Sequence, residues 1–188
     1  PEVLLHPGVG EDCSAVEAGE GEVLVFSVDP ITATEKGMGT FAVHVTANDL
    51  ASSGAEPVGI ITSIILPPRK REKYLRELMG EIEAACRELE IEIMGGHTEI
   101  SNVVNQPVVT VTGVGKVKKE KLVSTGGLQV GDDLVLTKWA GLEGTAIIAA
   151  QKREKLLETL PEELVDTAAD FYQYLSVVPE AKIAAETG

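Results

Sequence analysis

Cysteine is nearly absent from this sequence: Cys13 and Cys86 are the only two in 188 residues. Two thiols do not make a disulfide framework, and with three histidines they do not give the ligand spacing of a zinc site. That usage indicates a reducing, cytoplasmic setting. Positive charge is scarce as well. Sixteen Lys and Arg stand against 30 Asp and Glu, a net charge of −14. A basic face for nucleic acid is excluded, and an anionic membrane surface is a poor partner. No apolar run approaches the roughly 20 residues of a membrane span. The longest, residues 58–66, is broken by Gly59, Thr62 and Ser63. Phosphate-loop glycines followed by Lys and Ser or Thr are missing, and Gly8-Val9-Gly10 lacks the third glycine of a dinucleotide fingerprint. An anionic ligand would have to be held by metal ions, backbone amides or a few local cations.

What is there reads as a globular α/β chain. Residues 23–28 form an apolar, β-branched run that predicts a strand, ended by Asp29-Pro30. A helix is expected over 40–53, with Gly54 at the C′ position. Residues 58–66 predict a second strand, stopped by Pro67-Pro68. The clearest helix is 69–90, where Leu75, Leu78, Ile82, Ala85, Cys86 and Leu89 recur at three- and four-residue steps. Strands follow at 91–94, leading into a Gly95-Gly96 turn, and at 108–117. Alternating strands and helices imply a layered α/β fold over residues 1–120. A Lys-rich crossing leads to a second unit, 121–188, with an expected strand at 133–137 and helices at 142–160 and 162–175. Pro179 suits the first turn of another helix. So few strands cannot close a core, so this second α/β unit reads as incomplete. The chain starts at Pro1 and ends at Gly188, and the expectation is that both ends lie within a longer polypeptide.

The carboxylates fall in unusual places. Asp12 follows a glycine turn, Asp29 ends an apolar strand, and Asn48-Asp49 lies in an otherwise apolar helix. Glu99 follows Gly95-Gly96-His97-Thr98. A charge at the end of a buried strand is costly unless it is paired or binds a metal. Acids without basic partners suit Mg²⁺, which takes oxygen ligands and keeps waters for phosphates. Each position also has a plain reading. Asp29 can start a turn, Asp12 can cap one, Asp49 can face water, and His97 can be a hydrogen-bonded loop residue. His44 and Cys86 read as packed helix residues, and Cys13 as a thiol with no activating base.

Taken in order, four segments resemble the aminoimidazole ribonucleotide (AIR) synthase superfamily. They are Gly8-Val9-Gly10-Glu11-Asp12-Cys13-Ser14-Ala15-Val16, Ser27-Val28-Asp29-Pro30-Ile31, residues 42–57 with Asn48-Asp49-Leu50-Ala51 leading to Gly54-Ala55-Glu56-Pro57, and Met94-Gly95-Gly96-His97-Thr98-Glu99. Its members include the purine enzyme, thiamine-monophosphate kinase, selenophosphate synthetase and the hydrogenase-maturation carbamoyl dehydratase. The resemblance implies an N-terminal domain that pairs with a second copy to form a dimeric β-barrel. It implies ATP as substrate and Mg²⁺ as its metal, with phosphoryl transfer to an amide, carboxamide or other oxygen acceptor. On this reading Asp12, Asp29 and Asp49 are metal-binding acids. Asn48, Gly95, Gly96, His97 and Thr98 lie at the nucleotide site, and His97 and Glu99 are the catalytic candidates. His97 departs from the acid that several subfamilies place there. Residues 43–57 read most like the hydrogenase-maturation group, with a carbamoyl-type acceptor, or an uncharacterised synthase-related group. The alternative is a non-catalytic nucleotide-binding or scaffold dimer of the same fold.

Overall fold

The computed structural model of the chain describes residues 2–32 and 36–187. Its frame is one six-stranded sheet. The strands are β1 (Val3–Leu5), β2 (Cys13–Gly19), β3 (Glu22–Ile31), β4 (Glu56–Leu66), β5 (Glu92–Ile100) and β6 (Val108–Lys118). Their spatial order is β1-β2-β3-β6-β4-β5, so the sheet is open, with β1 and β5 at its edges. Each neighbouring pair is antiparallel except β4 and β5, which run parallel and are joined by helix α2 (Glu72–Glu88).

Strand periodicity sets the two faces. Val23, Val25, Ile60, Ile64, Val109 and Val111 point to one face and are fully buried there. Helix α1 (Met38–Ser52) lies on that face across β3, β6 and β4, and α2 packs on α1 and β5. α2 shows the expected stripe, with Leu78, Ile82, Ala85 and Cys86 buried and Arg76–Glu72 and Arg87–Glu83 pairs outside. α1 is covered nearly all round, from Phe41 through Ala51, and His44 is packed among core residues as expected. It ends in a Schellman pair, Gly54 N–H to Ala51 O (2.9 Å) and Ala55 N–H to Leu50 O (3.1 Å).

The close seating of α1 on the sheet depends on Gly113 of β6. A Cβ there would stand 2.8 Å from Leu50 Cδ1 and nearer still to the Thr46 methyl. Both side chains belong to a fully packed core, so neither has room to retreat. Gly113→Ala is expected to cost about 1–3 kcal/mol, read as a lowered urea midpoint at unchanged m-value. A midpoint equal to that of the parent would mean that α1 rides higher on the sheet.

Several elements differ from the sequence expectation. β3 continues through Asp29-Pro30 to Ile31, because β6 pairs with it over its whole length while β2 stops at Ser27. One side of β3 is open beyond Ser27, and a proline lacking a donor is tolerated at such an edge. β5 likewise runs straight through the predicted Gly95-Gly96 turn, held by parallel pairing to β4 as far as Ile100. The expected strand at 133–137 does not form. Leu134 and Val135 are 83% and 86% exposed, and no strand lies alongside them among the described residues.

Beyond residue 121 the described chain is irregular as far as residue 141 and mainly helical after it. The expected single helix 142–160 is two, α3 (Leu142–Gln151) and α4 (Arg153–Leu157), with Lys152 out of helical geometry. The break aims Arg153 at Glu162 and Asp166, 2.9 and 2.6 Å away on α5 (Glu162–Ala169). A 3₁₀ turn, Asp170–Tyr174, and α6 (Val178–Thr187) complete the segment, with Pro179 in the first turn as predicted. These helices find cover on the first unit. Leu142 and Leu175 enter the core under α1, with Ile147, Phe171 and Tyr172 against it. Trp139 stacks on Phe171 at 5.4 Å.

Candidate functional site

The candidate site forms where β3 leaves β2 and meets the last turns of α1. Ser27, Asp29 and Ile31 alternate onto the helix-covered face of β3, so Asp29 points the same way as the buried Ser27. Across from them α1 presents Asp49. The Ser27 hydroxyl lies 2.7 Å from Asp49 Oδ2 and 3.3 Å from Asp29 Oδ2, so two carboxyl groups converge on one hydroxyl. The short contact is the Ser27 O–H donating to Asp49. Cys13, at the start of β2, donates its thiol to the Asp49 carbonyl at 3.3 Å. Asp12 is the next residue back, on the exposed loop that enters β2. A cavity of about 240 Å³ opens beside it, lined by Asp12, Cys13, Ser27, Phe26 and Thr112 among others.

The electrostatics follow from crowding acids in a partly buried place. Burial pushes the Asp49 carboxyl up to about 7; Ser27 opposes the shift, and Asp29 and Asp12 add to it. Asp49 therefore carries a proton over much of the range in which a free carboxylate would be ionised. Burial also pushes the Cys13 thiol up to about 11, with Asp49 adding to the effect, so it stays an unreactive thiol near neutral pH. A fourth acid joins from beyond residue 121. Glu143, in the first turn of α3, has its pKa raised by burial and by Asp29. Sequence reading passed over Glu143, because an acid in a helix's first turn is ordinary capping chemistry.

The remaining predicted residues lie elsewhere. Asn48 faces the segment beyond residue 121: its amide donates to the Leu175 carbonyl and its oxygen accepts from the Val177 N–H, each at 2.8 Å. Gly95, Gly96, His97, Thr98 and Glu99 are on β5, separated from β3 by β6 and β4. Register places Gly96 in the row Asp29, Val111, Thr62, Gly96, on the helix-covered face. A side chain there would run into the Thr62 backbone, so strand packing alone already demands glycine. Thr98 is on the same face, opposite Ile64. His97 and Glu99 project from the opposite face, where His97 Nε2 lies 3.5 Å from Glu99 Oε2.

The donor set around Ser27 suits a hard divalent cation. Every carboxyl and hydroxyl ligand offered is an oxygen, and Asp49 holds its proton because it is partly buried and has Asp29 and Asp12 as neighbours, against the opposing bond from Ser27. Among the described residues no three His, Cys, Asp or Glu side chains are gathered tightly enough to ligate a metal by themselves. Asp29 and Asp49 meet as a pair with Asp12 as a further neighbour, leaving the rest of a coordination shell to water and ligand oxygens.

Residues 10–117 match the family model described as AIR synthase related protein, N-terminal domain. A putative hydrogenase expression/formation protein of Methanocaldococcus jannaschii is 29% identical over 157 residues, covering 79% of this chain and 47% of that protein. Carbamoyl dehydratase HypE of Cupriavidus necator is 31% identical over 187 residues, covering 95% of this chain and 52% of that protein. The chain thus spans about half the length of these curated relatives. Among solved structures, AaThiL complexed with AMPPCP and TMP has the same fold, with a TM-score of 0.68 at 18% identity over 89% of this chain and 57% of that one.

Proposed function

The chain belongs to the AIR synthase related family, and from that premise we propose that it is part of an ATP- and Mg²⁺-dependent phosphoryl-transfer enzyme. The observation that carries the proposal is the meeting of Asp29 and Asp49 at the Ser27 hydroxyl, with Asp49 pushed up to about 7. Paired acids in a half-buried site without a cation are poorly placed for stability and well placed for a divalent ion. Asp49 and Asp29 would hold Mg²⁺, with Asp12 taking a water-bridged position. The ion would supply neutralisation of charge on the transferring phosphoryl group.

The chain's own residues do the remaining work. Ser27 holds the two carboxyl groups in register, so their geometry is set before ligand arrives. Asp49 gives up its proton when the cation enters, which couples affinity to pH. His97 and Glu99 stand apart from the acids within one chain, and in a homodimer built on the sheet's outer face they would approach the partner. The acceptor is proposed to be an oxygen of an amide or carboxamide group. The hydrogenase-related names of the two curated relatives support a carbamoyl-type acceptor.

Titration calorimetry of ATP tests the reading. Binding is expected to require Mg²⁺, and to weaken about tenfold per pH unit below about 7, where Asp49 regains its proton. Above that pH it should level off. ATP binding of equal strength with and without Mg²⁺ would overturn the proposal. Acceptor-dependent phosphate release separates an enzyme from a nucleotide-binding scaffold of the same fold.

A further inference from the structure

Two of the site acids are each preceded by a residue whose side chain reaches far along the sequence. Glu11, before Asp12, accepts hydrogen bonds from the Thr125 N–H at 2.8 Å and from the Thr125 hydroxyl. Asn48, before Asp49, bonds the Leu175 carbonyl and the Val177 N–H, both at 2.8 Å. The first contact joins positions 114 residues apart and the second joins positions 127 and 129 apart. The segment beyond residue 121 therefore bonds the residue that precedes each of two site acids.

We propose that Glu11 and Asn48 are positioning residues: each clasps the segment beyond residue 121 and thereby sets the orientation of the acid that follows it, Asp12 or Asp49. This rests on the acid-site reading above and adds a control element to it. A peptide bond links each clasp to its acid, so a shift in the clasp turns the acid's backbone directly. The Asn48 carboxamide is matched to its task. It offers one donor and one acceptor to a backbone that presents one of each, which neither aspartate nor alanine can do. Glu11 takes two donors from one residue, and its charge strengthens both bonds. Coupling of this kind is reciprocal. A cation that orders Asp12 and Asp49 will also tighten the seating of the distal helices, and loosening those helices will weaken the cation.

The test compares Asn48→Ala, Glu11→Ala and Glu11→Gln with the parent in the full 188-residue chain. Glu11→Gln keeps an acceptor for Thr125 and loses the charge, so the difference between the two Glu11 variants isolates the clasp. Amide exchange at Val177 is expected to quicken in Asn48→Ala, and at Thr125 in Glu11→Ala, with Glu11→Gln between. Mn²⁺ affinity at pH 8 should fall about 3- to 10-fold in both alanine variants and recover in part in Glu11→Gln. In metal-free protein at pH 8, the N–H residual dipolar couplings of Asp49 should change in Asn48→Ala, and those of Asp12 in Glu11→Ala. Unchanged exchange would overturn the clasp. Faster exchange with unmoved dipolar couplings at both acids would show a structural tie without a positioning role, and overturn the proposal. If the parent binds no Mn²⁺, the acid-site reading fails, while exchange and the dipolar couplings still decide this one.

Discussion

Replacing Asp49 with asparagine is expected to weaken Mg²⁺-dependent ATP binding by about 100-fold, and to make the ligand-free protein more heat-stable at pH 8. Both effects come from one fact, the proton that Asp49 keeps up to about pH 7. Asparagine copies the protonated carboxyl. Its oxygen can accept from Ser27 and its amide can donate to Asp29, so the local bonds survive. What is lost is the anionic ligand, worth about 1.5–3 kcal/mol for a charge-assisted interaction. The stability effect has a definite sign. The folded pKa is raised above the unfolded value of 3.8, so the folded state binds the proton more tightly. The stability this confers is complete below about pH 4 and is lost as pH rises towards about 7. At pH 8 the parent holds an ionised Asp49 beside Asp29, and the variant does not. Solvent reaches this half-buried site, so the gain is about 1–2 kcal/mol rather than the full value of the shift. Melting curves of the two proteins should coincide near pH 4 and separate by a few degrees at pH 8. A variant less stable than the parent at pH 8, with unchanged ATP affinity, would make Asp49 a structural residue.

Asp49 also marks the limit of what its local sequence reveals. α1 is buried on most sides by the sheet, by α2 and by the distal helices, so no polar stripe distinguishes a site residue from a solvated one. Its apolar neighbours in sequence made Asp49 conspicuous and the family resemblance gave it a role, while helical periodicity did neither. α2, with one covered face, was legible from spacing alone. β2 escaped notice because Cys13 and Ala15 make its buried face from small residues that propensity does not flag. β5 was truncated because Gly95-Gly96 reads as punctuation; the β4 partner that carries the strand through is invisible locally. The apolar run at 133–137 shows the reverse. It has strand composition and lacks a neighbouring strand, and composition without a partner does not make a strand. Glu11 and Asn48 reach across more than a hundred residues, and a single sequence gives no sign of such a contact.

Light scattering at tens of micromolar is expected to give twice the chain mass of 19.9 kDa for the parent, and Ile61→Lys is expected to give the single mass. The face of the sheet opposite α1 is the reason. Register gathers Phe26 and Val114 in one row, and Val28, Thr112 and Ile61 in the next. Val28 is 60% exposed, Ile61 45% and Met94 47%. A mainly apolar sheet face on a chain of net charge −14 calls for cover, because contiguous apolar surface is disfavoured in water. The described helices lie against the other face, and the distal segment packs on α1. The edges β1 and β5 carry further unpaired backbone groups, available to strands of a second copy. A two-fold axis through this face would bring the same rows together from both chains, closing the open sheets towards each other. It would also place each Ile61 change at the interface twice. An unpaired charge in such a setting costs about 3 kcal/mol or more per copy, so dimer affinity should fall by roughly 10⁴-fold. The variant should stay folded, because Ile61 is half-exposed on one chain and a lysine there can lay its stem along the sheet and keep its ammonium in water. A folded parent that scatters as a monomer would show the face bare in solution. A dimeric Ile61→Lys would place the interface elsewhere, and would leave His97 and Glu99 without a route to a partner's acids.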